Sequence, residues 1–221
     1  MKRYKVVLLS GDGIGPEISK VSLNILKRLS QKYDFDIEIK EEDFGGIAYE
    51  KYNDPAPKET LDQCKACDAV LLACVGDVKY DNLPRELRPE SGLLKLRSAL
   101  KLFANIRPVK IRKSLLDSSS LKKEIIENVD LIVVRELIGG IYFGQPRGQI
   151  TNTKVKKAFN TMLYDSNEIE RITEVAMRIA NQRNKKICSV DKSNVLEVSQ
   201  LWRDTVLKVT SKDKDLNLSN M

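Results

Sequence analysis

Apolar and polar residues alternate along the chain with two distinct periods. Short apolar runs typical of β-strands recur through the whole length, at 4–9, 36–44, 69–74, 102–109, 130–136 and 186–191. Between several of them the apolar residues have helical spacing, as at Ile14, Ile18, Val21, Ile25 and Leu29, and again from Ile169 to Ile179. Strands that alternate with helices predict an α/β fold with a largely parallel, covered sheet.

Three segments between these elements deserve separate interpretation. Residues 76–91 form a long loop, and a loop of that length in a compact domain is usually functional. The segment 135–148 combines paired glycines with a Gly-Gln-Pro turn and predicts a hairpin-like arm. In 189–204 a strand ends, and we expect the following helix to begin at a cap formed by Ser193 or Asn194.

The stretch "SGDGIGPEI", residues 10–18, resembles the glycine-rich turn that binds the phosphates of a dinucleotide. That turn requires a third glycine where this chain has Pro16. Proline suits the first turn of a helix but removes an N–H donor and adds bulk where a phosphate would approach. The stretch therefore predicts a strand-to-helix turn rather than a phosphate site.

Composition narrows the class of protein. The chain has 221 residues, 42% hydrophobic and 31% charged, which is ordinary for a globular protein. Its net charge is +7, but the basic residues are mixed with acidic ones, so we expect no nucleic-acid partner. No apolar run approaches the roughly 20 residues that span a bilayer, and the apolar start is too short for a secretory signal. We expect a cytoplasmic protein with no membrane partner.

Histidine is missing from the sequence. This excludes Ser-His-Asp and Cys-His catalysis and any histidine-ligated metal, so acid–base chemistry must fall to Lys, Tyr, Asp or Glu. The four cysteines include the pair Cys64 and Cys67, which without a second pair is weak evidence for zinc or redox chemistry. We interpret all four as ordinary reduced residues.

Five residues could carry chemistry. Arg107 and Arg135 are placed just past apolar strands and Arg97 on a short helix, where guanidinium groups suit a substrate with several carboxylates. Taken singly, each is more typical of a surface or salt-bridge arginine, but the three together favour an anionic substrate. Tyr142 is either a packing residue or a proton donor. Lys192 is either a solvated corner residue or a general base with a lowered pKa.

Five blocks of the sequence, in this order, carry a family resemblance: "GDGIGPEI", "RPESGLLKLR", "LFANIRPV", "VRELIGGIYFGQPRG" and "SVDKSNVLEVSQLWR". They resemble the isopropylmalate dehydrogenases, part of the metal-dependent β-decarboxylating dehydrogenases that also include isocitrate, homoisocitrate and tartrate enzymes. The resemblance implies a two-domain α/β fold, with residues 1–101 in a cofactor-side domain. Residues 102–221 would belong to a substrate and dimerisation domain with an arm near 136–160. It also implies oxidative decarboxylation of 3-isopropylmalate with NAD in leucine biosynthesis.

The same resemblance implies a role for each polar candidate. Arg97, Arg107 and Arg135 would bind the malate carboxylates, and Tyr142 would be the acid that protonates the enolate. Lys192 would be the base near the substrate hydroxyl, reaching into the neighbouring subunit's site of a homodimer.

Four residues match positions around the alkyl group and the cofactor. Glu90, Leu93 and Leu94 would border the isopropyl group and the nicotinamide, and the apolar pair favours isopropylmalate over isocitrate. Ile14 is a possible second cofactor contact, with core packing as the alternative.

The sequence also departs from the family pattern. Ile138 stands where the family usually has threonine, and the loop at 73–81 is poorer in glycine. The family's Mg²⁺ or Mn²⁺ ligands correspond to positions beyond residue 221, and the segment around Asp213 and Asp215 is interpreted as a solvated loop that does not replace them. We therefore expect an N-terminal part of the fold, inactive alone, with an open sheet edge and exposed apolar surface. The alternatives are another dehydrogenase of the family, or a non-catalytic short protein that associates with a full-length partner.

Overall fold

The computed structural model describes residues 2–151 and 154–221. The chain divides into two compact units, Met1–Lys101 and Leu102–Met221. Helices and strands occur in both units, so the predicted α/β class is confirmed. Among the described residues, no helix combines the length and the apolar character needed to cross a membrane.

The first unit is built on a parallel three-stranded sheet. Its strands are β1 (Arg3–Gly11), β2 (Asp36–Glu41) and β3 (Ala69–Cys74), in the order β2-β1-β3. Leu8 and Leu9 of the central strand are among the most buried side chains of the described residues. β2 and β3 are the edges of this sheet.

Helices α1 (Gly15–Tyr33), α2 (Gly46–Tyr52), α3 (Lys58–Ala66) and α4 (Pro89–Ala99) complete the unit. The core cluster joins Val7 and Leu9 of β1 to Phe44, Cys64 of α3 and Leu96 of α4. Residues 76–91 are not an unbroken loop: two short 3-10 turns lie in this segment, and α4 already begins at Pro89.

Helix α1 matches the predicted period, but its apolar stripe does not face the core. Buried positions on α1 are the small residues Gly15 and Ser19. The periodic residues Ile14, Ile18, Val21, Ile25 and Leu29 are all exposed, Val21 by 57%. The expected exposed apolar surface is therefore present on this helix.

The described residues of the second unit form three separate strand pairs. They are β4 (Ala104–Lys110) with β5 (Asp130–Glu136), β6 (Gly148–Ile150) with β7 (Lys157–Phe159), and β8 (Lys186–Ser189) with β9 (Asn217–Asn220). Only β8 and β9 run parallel. The expectation of a largely parallel sheet is wrong here, because β4 and β5 are joined without a long crossover helix and pair antiparallel.

Helices α5 (Lys123–Ile126), α6 (Ser166–Asn181) and α7 (Glu197–Thr210) complete this unit. Helix α6 begins with a capping box in which Asp165 and Glu168 satisfy each other's backbone N–H groups. It packs against α7 and β5. The predicted cap at Ser193 or Asn194 is wrong: these residues form a turn, and α7 begins at Glu197 after Leu196.

The short strands β6 and β7 pair antiparallel inside the range 136–160, where an arm was predicted; its role as an arm stays a prediction. Residues 152 and 153, within the predicted range of the arm, lie outside the described residues. The chain end also differs from the predicted solvated loop, since β9 places Asn217–Asn220 in register with β8.

Candidate functional site

The glycines of the first turn bring two backbone segments together. Gly11 has φ +68°, and a Cβ at this position would overlap the carbonyl oxygen of Cys74. A Cβ on Gly15 would likewise overlap the carbonyl of Ser10. The space beside these glycines is occupied by the chain's own backbone, which agrees with the interpretation of this stretch as a structural turn.

Asp12 is a buried carboxylate at the centre of this turn. It accepts hydrogen bonds from the backbone N–H groups of Gly46 at 2.7 Å, Ile47 at 2.9 Å and Gly76 at 3.1 Å. It thereby ties the turn after β1 to the start of α2 and to the loop after β3. Our sequence reasoning missed Asp12; the available signal was an acidic residue between two glycines directly after a buried strand.

The first-unit candidates lie in two places: Ile14 is in the turn after β1, and the other candidates are on α4. Ile14 is 58% exposed, so the core-packing alternative does not describe it. The Glu90 carboxylate lies beside the loop after β3, 3.1 Å from where a Cβ of Gly76 would be. Leu93, Leu94 and Arg97 lie on α4 with Glu90, and all three are half-buried. The carboxyl ends of parallel strands are where open α/β sheets bind ligands.

In the second unit, Arg107 and Arg135 share one face of the β4–β5 pair. Arg135 is opposite Asn105 and Arg107 is opposite Val133, so the two arginines are diagonal neighbours. Both are exposed. The prediction that Arg107 stands past a strand end is wrong, because it lies in the middle of β4; the arginines meet through strand register instead.

Tyr142 lies next to Arg135. The Arg135 guanidinium carbon is 5.3 Å from the centre of the Tyr142 ring, within range of a cation–π interaction. Tyr142 belongs to a 3-10 turn, Gly140–Tyr142, and its carbonyl accepts a hydrogen bond from Arg147. The ring is 45% exposed, so it is not a core packing residue.

The residue after Arg135 is a buried acid. The Glu136 side chain is 1% exposed and pairs with Arg171 of α6. It also accepts the N–H of Gly139 at 2.7 Å. Sequence reasoning missed Glu136 as it missed Asp12, because its partner lies 35 residues further along the chain.

Lys192 is exposed and follows a second buried acid. Asp191 accepts hydrogen bonds from Arg203 of α7 at 2.9 and 3.1 Å and from the Ser193 N–H at 2.9 Å. Burial raises the pKa of Asp191, but the hydrogen bonds from Arg203 and Ser193 outweigh burial and leave it below its ordinary value. The Asp191–Arg203 pair therefore holds the turn that presents Lys192.

The residues present do not form a metal centre. Across 2–151 and 154–221, no three His, Cys, Asp or Glu residues come together in a group that could hold a metal ion. Asp213 and Asp215 are engaged with Asn181 and Lys185. Cys64 is buried in α3, and burial raises its pKa to about 11, which makes it a poor thiolate.

Comparison with known proteins identifies relatives for the whole chain. A family model described as isocitrate/isopropylmalate dehydrogenase matches residues 5–221. A 3-isopropylmalate dehydrogenase of Prochlorococcus marinus subsp. pastoris is 86% identical over all 221 residues. One from a Synechococcus species is 52% identical over the same length. The chain spans 62% of the length of each of these two relatives.

Two solved structures share the fold. The isocitrate dehydrogenase from Methylococcus capsulatus superposes with a TM-score of 0.77 at 25% identity, covering 99% of this chain and 60% of its own. A β-decarboxylating dehydrogenase from Thermococcus kodakarensis gives 0.70 at 25% identity and is covered over 57%. With a family model matched from residue 5 to residue 221, the chain belongs to the isocitrate/isopropylmalate dehydrogenase family.

Proposed function

We propose that this chain contributes substrate-binding and acid–base residues to a dehydrogenase that oxidises and decarboxylates 3-isopropylmalate with NAD, in leucine biosynthesis. The observation that carries the proposal is the 86% identity to a 3-isopropylmalate dehydrogenase along every residue of the chain. The dehydrogenase activity, the substrate and the partners of the whole enzyme are proposed on that basis.

Arginines provide the binding charge for a dicarboxylate. Arg107 and Arg135 lie on one exposed face of the second unit and present two guanidinium groups to the same side. We propose that both bind malate carboxylates, because guanidinium groups bind carboxylates through paired hydrogen bonds. Arg97, on α4 of the first unit, is proposed as the third carboxylate ligand.

Tyr142 and Lys192 are proposed for the proton transfers. Lys192 takes the proton of the substrate hydroxyl, and Tyr142 returns a proton to the enolate left after carbon dioxide departs. The exposed Tyr142 ring beside Arg135 supports this role, since an acid must lie close to the bound substrate. Lys192 is exposed on its turn, which supports its reaching the site of a second subunit in a homodimer.

The first unit is proposed to supply the alkyl pocket and part of the cofactor cleft. Leu93 and Leu94 present apolar surface that suits a branched alkyl group, whereas isocitrate would require a polar partner for its extra carboxylate. Glu90 beside Gly76, and exposed Ile14, support a cofactor contact at the carboxyl edge of the sheet. When bound, NAD supplies the hydride acceptor.

The metal ion has no such support from these residues. No described group of acids in the chain fits Mg²⁺ or Mn²⁺. We propose that its ligands belong to the part of the relatives' length that this chain does not cover.

The test joins this chain to the part of the Prochlorococcus relative that it does not cover and follows NAD reduction by nicotinamide absorbance. With magnesium or manganese present, we expect turnover of 3-isopropylmalate about 100-fold above isocitrate, and a loss of about 100-fold in Lys192→Ala. The 221-residue chain alone should give no turnover above its own Lys192→Ala variant.

The other outcomes separate the alternatives. Preference for isocitrate, homoisocitrate or tartrate would assign a different reaction within the family. A folded but inactive joined protein, together with association of the 221-residue chain with a full-length relative, would replace catalysis by the non-catalytic role. Turnover by the chain alone would refute our account of the metal.

A further inference from the structure

The turn that carries Tyr142 begins at a buried charge. Glu136 is the last residue of β5, and strand alternation sends its side chain inward while its neighbour Arg135 points to the exposed face. Inside, the Glu136 carboxylate meets Arg171 and accepts the Gly139 N–H. One dipeptide therefore both anchors the turn and presents a proposed substrate ligand.

Arg171 is itself held in place around that carboxylate. Its guanidinium lies 4.9 Å from the centre of the Phe103 ring and 3.7 Å from the Glu168 carboxylate. Its Nε atom is buried without a hydrogen-bond partner among the described atoms. A buried unpaired N–H is unfavourable, so the position of Arg171 is set by its contacts with Glu136 and Phe103 rather than by its own Nε.

The backbone at Gly139 and Gly140 is closely packed by other residues, which restricts it to one conformation. Gly140 has φ +76° and donates its N–H to the Leu163 carbonyl at 2.7 Å. Tyr164 packs against both glycines, since a Cβ on Gly139 would lie 2.7 Å from the Tyr164 ring. The turn is thus fixed by Glu136 on one side and by residues 163–164 on the other.

We infer that Glu136 and Arg171 are positioning residues that hold the Tyr142 ring over the Arg135 guanidinium. The inference rests on the proposed role of Tyr142. Neither Glu136 nor Arg171 touches the substrate; they act through the backbone of Gly139–Gly140, which sets where the 3-10 turn begins. Without the carboxylate, the N–H of Gly139 loses its hydrogen-bond acceptor, and the start of the turn that carries Tyr142 is no longer fixed.

The first test uses the 221-residue chain and measures amide hydrogen exchange. Glu136→Met, which removes both acceptor oxygens, should speed exchange in peptides covering 139–143 about tenfold or more, with the amides of α6 and β4 unchanged. The matched control is Glu174→Met, which makes the same change at an exposed position of α6. Because Glu136→Met also removes the nearest partner of the half-buried Arg171, the double variant Glu136→Met/Arg171→Met tests the same turn without an unpaired guanidinium.

The outcomes of this first test are decisive in both directions. Fast exchange confined to 139–143, in the single or the double variant, supports positioning. Equal acceleration throughout the second unit would show a merely structural role, and unchanged exchange at 139–143 would refute the inference. None of these outcomes depends on enzyme activity, so a failure of this inference can be distinguished from a failure of the proposed function.

The second test uses the joined protein and separates kcat from KM. Glu136→Met should lower kcat about tenfold or more with KM nearly unchanged, because misplacement of a catalytic group affects the transition state most. In a Tyr142→Phe background the same change should have no further effect on kcat. An equal additional loss in that background would show that Glu136 acts by a route other than Tyr142.

Discussion

Removal of the Arg203 side chain should destabilise the second unit strongly. Asp191 is 2% exposed and receives two hydrogen bonds from Arg203, so Arg203→Met leaves a buried carboxylate without its counter-charge. Breaking a buried pair by removing one partner costs about 3–5 kcal/mol. Asp191→Asn/Arg203→Met, which also removes the charge, should be more stable than Arg203→Met alone.

The chain carries its own reporter for this experiment. Trp202 is the single tryptophan; its ring packs edge-on against Tyr164 at 5.3 Å, and its Nε1–H donates to the Ser189 Oγ at 3.2 Å. Trp202 fluorescence during urea unfolding therefore follows the second unit. With a slope of about 2 kcal/mol per molar urea, a loss of 3–5 kcal/mol lowers the midpoint by about 2 M.

The pH dependence of stability gives an independent check on the direction in which the pKa of Asp191 is shifted. In the unmodified chain the pKa of Asp191 lies below its ordinary value, so this stabilisation is present above about pH 4 and is lost as the pH falls through the folded-state pKa. In Arg203→Met, burial is no longer outweighed and raises the pKa, so acidification protonates the carboxylate and favours the folded state. The stability gap between the two proteins should narrow from pH 7 to pH 4.

The control is Lys208→Met on the same helix, whose partner is the half-exposed Glu170. It should leave the midpoint unchanged. An Arg203→Met midpoint equal to that of the control, or a gap that stays constant down to pH 4, would refute the assignment of Asp191 as a buried, compensated charge.

Two substitutions and one labelling experiment test the first unit. Gly11→Ala should lower the free energy of unfolding by about 3 kcal/mol or more, because the residue has φ +68° and the new Cβ meets a backbone carbonyl. The control Gly148→Ala should be tolerated, because the atom nearest to its new Cβ is 3.7 Å away. Thermal melts followed by circular dichroism compare the two variants. Asp12→Asn should cost about 2 kcal/mol by weakening charge-assisted hydrogen bonds, and unchanged hydrogen exchange at 44–48 and 74–78 would contradict this. At pH 8, iodoacetamide should label exposed Cys188 first and Cys64 last, since the Cys64 pKa is about 11; peptide mass mapping that finds Cys64 labelled early would show that its helix opens.

The fold was predictable where local pattern decides it. The runs at 69–74 and 130–136 match β3 and β5 residue for residue, because short apolar runs bounded by polar segments leave few alternatives. Pairing direction was not predictable from the runs themselves. It depends on the connection at 111–129, which holds a 3-10 turn at Lys113–Ser118 and the four-residue α5 but no long crossover helix.

Helix α1 shows a second limit of periodicity. The stripe from Ile14 to Leu29 correctly predicted a helix, because the spacing follows the 3.6-residue turn. It did not reveal which face meets the sheet: small Gly15 and Ser19 do so, since they let the helix approach closely. The period identifies the apolar face of the helix but not the element that packs against the helix.

At the candidate site, sequence reasoning found residues that are exposed and missed those that hold them. Arg135 and Tyr142 stood out because they flank a glycine turn. The supporting acids Asp12 and Glu136 bind partners as far as 64 and 35 residues away, and such pairings arise only when the chain is folded. Nothing in the local sequence distinguishes them from surface acids.

The packing of α6 against α7 has a consequence for how this protein can change over time. Arg171 lies on α6 and Arg203 on α7, so the turns that carry Tyr142 and Lys192 are both held by this pair of helices. A larger or smaller residue at a buried position of either helix, such as Ile172 or Val206, should therefore affect both turns together. Evolutionary drift at such positions should be slow, and substitutions there should be accepted in compensating pairs.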